Sequence, residues 1–75
     1  MMNNIEITGE YIKLEQALKL SGIAQTGGHA KIIVAGGEVG VNGETCLMRG
    51  KKLRLGDKIS VGGEKFVICS AADNK

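Results

Sequence analysis

The chain reads as an α+β domain: a two-helix hairpin packed on a small, mainly antiparallel sheet of four to five short strands. Two apolar stripes at helical spacing fall between residues 12 and 35. From residue 37 onward the apolar period drops to two, and glycine pairs or an Asn-Gly step interrupt it at short intervals. The 75 residues are expected to form a single domain, residues 1–75, near the size where one core is only marginally stabilising. Without proline or tryptophan, and with one Tyr and one Phe, that core must be aliphatic.

Residues 4–8 alternate, with Ile5 and Ile7 on one face, which predicts a short edge strand. Across residues 12–22, Leu14, Ala17, Leu18 and Ser21 share one helical face, and Gly22 is a natural stop. Thr26 is a good N-cap for a second helix over 27–35, whose buried stripe would be Ala30, Ile33 and Val34. Gly36-Gly37 end it, and the short link makes the two helices neighbours.

Val39 and Val41 then alternate into Asn42-Gly43, a strong hairpin signal, with residues 45–48 as the returning strand. Leu53 and Leu55 are expected inward and Lys52 and Arg54 outward. Gly56-Asp57 turn the chain, Ile59 and Val61 mark another strand, Gly62-Gly63 turn again, and 65–70 close the sheet. The tail, 71–75, reads as frayed.

The net charge of +2 hides an uneven distribution. Residues 26–58 carry six bases against three acids, while residues 1–25 are slightly acidic. Such clustering suits a polyanionic partner. The start of the chain has no basic stretch followed by an apolar run, so no signal peptide is expected. The longest apolar run, 32–35, is too short for a bilayer, so a cytoplasmic protein without membrane contact is expected. Cys46 and Cys69 read as buried strand thiols rather than a disulfide, and with His29 they fall short of a zinc set. No metal or cofactor is expected.

Catalysis finds no foothold. There is one histidine, no nucleophile elbow, no Walker loop and no G-x-G-x-x-G spacing. Two features suit binding instead. The first is the start of the second helix, where Gly27 and Gly28 leave amides at the positive end of the dipole open to an anion, with His29 and Lys31 in the first turn. A plain tight turn between helices explains the same glycines equally well. The second is the stretch 49–58, where Arg49, Lys51, Lys52, Arg54 and Lys58 are half of all ten bases. It reads as a phosphate-contacting patch or as a solvated edge that guards against strand pairing. Asn42 reads as a hairpin-turn residue, and a nucleic-acid contact by its side chain would be an addition to that role.

These residues, in this order, resemble the alpha-L RNA-binding motif, also called the S-four domain. The motif opens on a basic-Leu-acidic triplet, here Lys13-Leu14-Glu15, and continues through Leu18 and Gly22 to a second helix. It closes on Gly37, Val39, Val41, Asn42 and Gly43, and then Gly56, Asp57 and Ile59. The match spans residues 11–61. Where many members begin the second helix with a Ser-Arg pair, this chain has Thr-Gly-Gly-His, which is similar to a stand-alone bacterial subgroup of about this length.

The resemblance implies a non-enzymatic protein that binds structured RNA, ribosomal or transfer-RNA-like. It implicates Lys13, Gly27, Gly28, His29, Lys31 and Asn42. Charge adds Arg49, Lys51, Lys52 and Arg54. Because Tyr11 and Phe66 are the only aromatics, contacts to phosphates and shape are expected rather than base stacking. A monomer is expected. The alternatives are a protein–protein interaction module using the same basic face and a ubiquitin-like sulfur carrier. The second would need its Gly-Gly pair at a free C-terminus, whereas twelve residues follow Gly63.

Overall fold

A computed structural model describes residues 2–71. The elements run β1 (Met2–Ile7), β2 (Ile12–Lys13), α1 (Leu14–Leu20), α2 (Gly27–Ala35), β3 (Val39–Val41), β4 (Glu44–Thr45), β5 (Lys52–Leu53), β6 (Lys58–Val61) and β7 (Glu64–Ser70). Five strands form one sheet in the order β1-β7-β6-β3-β4, and β2 pairs with β5 in a separate ribbon. All pairings are antiparallel except β1 with β7, which is parallel. The α+β architecture and the edge position of β1 are as the sequence predicts. The four residues 72–75, most of the expected frayed tail, lie outside the described residues.

The core follows from periodicity. Leu14, Ala17 and Leu18 of α1 and Ala30, Ile33 and Val34 of α2 are buried against inward sheet residues such as Val39, Val41, Ile59, Val61, Phe66 and Ile68. No polar or charged side chain is buried among the described residues. Burial of this aliphatic surface is the main stabilising term.

The caps also follow local rules. Thr26 is extended and its Oγ1 accepts the N–H of His29 at 3.0 Å, which satisfies one amide of the α2 start. Gly22, with φ +85°, ends α1 in the left-handed region where a side chain would be strained. Asn42 and Gly43, at φ 52° and 90°, form the left-handed turn that joins β3 to β4.

Three expectations need correction. Residues 12 and 13 are strand rather than helix, because Ile12 and Lys13 pair with Leu53 and Lys52. The return strand stops at Thr45 instead of running to residue 48, although the Cys46 N–H still donates to Val39 O at 2.8 Å. Leu55 is 54% exposed rather than inward. Strand alternation ends at Leu53, since a turn closed by Asp57 N–H to Arg54 O (3.0 Å) begins immediately afterwards. The thiols are free, with Cys46 buried beyond the end of β4 and Cys69 half-buried within β7.

Candidate nucleic-acid interface

The β2–β5 ribbon builds a basic corner. Ile12 and Leu53 are cross-strand partners and both are buried. The neighbouring pair, Lys13 and Lys52, therefore shares the opposite, exposed face. Two ammonium groups directly across a ladder repel each other.

The rest of the basic stretch is drawn to the same corner by the start of α1. The N–H groups of Leu14 and Glu15 donate to Lys51 O and Arg49 O, both at 2.9 Å. Gln16 Oε1 accepts the Lys13 N–H at 3.2 Å. The first amides of α1 are thus occupied by the loop that carries Arg49 and Lys51. That helix start offers a positioned lysine rather than bare amides.

Tyr11 lies under the corner. Lys52 Nζ is 4.9 Å and Arg54 Cζ 5.9 Å from its ring centroid, within cation–π range. The ring restrains both cations. Asp57 then ties the corner to the β3–β4 hairpin. Its Oδ2 accepts the Arg54 N–H at 2.8 Å and its Oδ1 accepts from Asn42 Nδ2 at 3.2 Å. The Oδ1 of Asn42 accepts the Lys58 N–H at 3.0 Å. Both ends of the Asn42 amide are therefore engaged inside the protein.

The start of α2 is held by contacts of its own. His29 is exposed, and its Nδ1 accepts the Gln25 N–H at 3.2 Å. In the neutral ring Nε2 then carries the proton and is a donor. The Gly27 and Gly28 amides belong to the first turn, which has no intrahelical acceptor for them. Neither glycine has a positive φ. A Cβ at Gly27 would meet nothing within 4 Å, and one at Gly28 only Thr26 Oγ1 at 3.8 Å. Neither packing nor backbone geometry requires glycine at these two positions.

The structure thus brings Lys13, Arg49, Lys51, Lys52 and Arg54 together and links Asn42 to them through Asp57. Gly27, Gly28, His29 and Lys31 form a second group on α2. Sequence reading missed Tyr11 and the bridging role of Asp57. The signal for Asp57 was available: an acid beside a turn glycine can accept a backbone N–H three residues back. The position of Tyr11 depends on the β2–β5 pairing, which no local pattern announces. Among the described residues no cluster of His, Cys, Asp or Glu is suited to hold a metal, and no helix is long and apolar enough to cross a membrane.

Comparison with known proteins fits this geometry. Residues 5–69 match the model of the S4 domain, so the chain belongs to the S4 domain family. It is similar to the probable ribosome maturation protein RlbA of Bacillus subtilis (strain 168), with 44% identity over 63 residues, 84% of this chain and 89% of the relative.

Proposed function

We propose that this protein binds folded RNA without catalysing a reaction, and that the RNA is ribosomal. The observation that carries this reading is the exposed Lys13–Lys52 cross-strand pair, placed among Arg49, Lys51 and Arg54. Like charge held on one ribbon, relieved only in part by the Tyr11 ring beside Lys52, is best explained by a polyanion that neutralises it. The family membership supports RNA as that polyanion, and the ribosome-maturation name of the relative supports ribosomal RNA. A cytoplasmic location follows from such a partner.

The roles divide by geometry. Lys13, Arg49, Lys51, Lys52 and Arg54 contact phosphates. Asn42 and Asp57 position the corner relative to the hairpin. The α2 start gives the Gly27 and Gly28 amides to a further phosphate, with His29 Nε2 and Lys31 beside it. Neighbouring cations of the corner share phosphates, so about four are neutralised in all and the log–log salt slope is about −3 to −4.

One substitution separates binding from scaffold at α2. Gly28→Ala has room for its methyl group and a helical backbone, so it should stabilise the fold by up to about 1 kcal/mol. It should also weaken RNA binding, because the methyl group obstructs close approach to the amides. Thermal unfolding and an RNA titration of the same variant check both signs. Unchanged affinity in a stabilised variant would remove the α2 start from the interface.

A further inference from the structure

Beside the basic corner lies a hollow of about 410 Å³. That volume is within the range of roughly 300–1,000 Å³ usual for small-ligand sites. Tyr11 and Leu20 supply apolar lining, and Glu6, Thr8, Gln16 and Lys19 supply polar groups. Tyr11 is 40% exposed and Leu20 is 64% exposed. Tyr11 therefore belongs to two structures at once, the cation cluster formed with Lys52 and Arg54 and the rim of this hollow.

The polar lining is oriented. Gln16 Oε1 is committed to the Lys13 N–H, which turns the amide so that its NH₂ end remains a donor. The Glu6 carboxylate is an acceptor, and Thr8 is both. Donor and acceptor beside an aromatic ring form the chemistry that reads the edge of a nucleobase, whose face stacks while its edge hydrogen-bonds.

We infer that this hollow takes a single unpaired nucleobase of the bound RNA, stacked on Tyr11, while the adjoining phosphates meet Lys52 and Arg54. This rests on the RNA-binding reading above and adds the feature recognised: a bulge or loop base next to a helix. Composition alone argues against stacking, since aromatics are few. One exposed aromatic suffices for one base. Adenine fits this lining, its edge offering an amino donor to Glu6 and a ring-nitrogen acceptor to Gln16 or Lys19.

The chain has one tyrosine and no tryptophan, so its intrinsic fluorescence reports on Tyr11 alone. The test compares an RNA hairpin carrying one bulged adenosine with the same hairpin in which that nucleotide is abasic. Both have the same phosphates. The expected result is about tenfold tighter binding of the bulged hairpin, with quenching of tyrosine emission that the abasic hairpin does not produce. Tyr11→Leu should bring the two affinities together, and Tyr11→Phe should keep them apart. If Tyr11 only positions the two cations, Tyr11→Leu lowers both affinities equally and leaves their ratio unchanged. Equal affinity of the wild-type protein for both hairpins, without differential quenching, would overturn the base site and leave phosphate binding standing. If neither hairpin binds even at low salt, the RNA-binding reading fails and the base site falls with it.

Discussion

Lys52→Glu should lower RNA affinity by more than tenfold near 0.1 M salt while leaving the folded domain intact. Losing one phosphate contact removes about 0.9 from the salt slope, which is roughly eightfold at 0.1 M relative to 1 M. Reversing the charge adds repulsion to that loss. The fold should tolerate the change because Lys52 is exposed, and a carboxylate at this position, opposite Lys13, would replace a repulsive cross-strand pair with an attractive one. Loss of the Lys52 ammonium from the Tyr11 ring offsets that gain, so stability should change by no more than about 0.5 kcal/mol as binding declines. Lys31→Glu tests the α2 group in the same way and should also weaken binding with the fold intact. Titrations with folded RNA at two salt concentrations, beside thermal melts, decide the matter. A Lys52→Glu protein that binds as well as wild type with an unchanged slope would remove the corner from the interface.

Leu53→Ala should be the most damaging single truncation in the corner. Leu53 is fully buried and pairs with Ile12 in a ribbon only two residues long on each strand. Emptying such a site costs about 2–5 kcal/mol, a large part of the stability of a domain this small. The midpoint of thermal unfolding should fall by roughly 10–30 °C. RNA binding should fail with it, since the ribbon that sets Lys13 opposite Lys52 would no longer be held. Leu55→Ala is the matched control. Two residues further on, at an exposed turn position, it should change stability by no more than about 0.5 kcal/mol. Equal destabilisation by both truncations, measured by denaturant unfolding, would contradict the observed end of β5.

The contrast between these leucines shows how far the sequence could be read. Alternation predicts both Leu53 and Leu55 inward. The turn closed by Asp57 overrides the pattern after one residue, and two residues are too few for a period to be recognised. The same limit hid β2. Ile12 and Lys13 sit at the head of a helical pattern, and only their distant partners Leu53 and Lys52 make them strand. Where an apolar pattern runs along a helix, as through Leu14, Ala17 and Leu18 or Ala30, Ile33 and Val34, the buried residues were legible, although Ser21, expected on the first face, caps α1 and is only half-buried.

At the candidate site, residue type was legible and assembly was not. The basic stretch 49–58 is visible in composition, and Lys13 in the motif. That the Arg49 and Lys51 carbonyls cap α1, drawing the basic loop onto Lys13, is a tertiary fact. The open space at Gly27 and Gly28 likewise needed coordinates, because a turn and a phosphate cradle are written with the same letters.

The most direct test is a binding titration of the intact protein against a structured ribosomal RNA fragment, a single strand of matched length and duplex DNA, each at two salt concentrations. Preference for the structured RNA, with affinity falling as salt rises along a slope of about −3 to −4, is the result this account predicts. Absence of binding to any of the three at the lower salt would contradict it, and would leave the lysine corner as solvated surface.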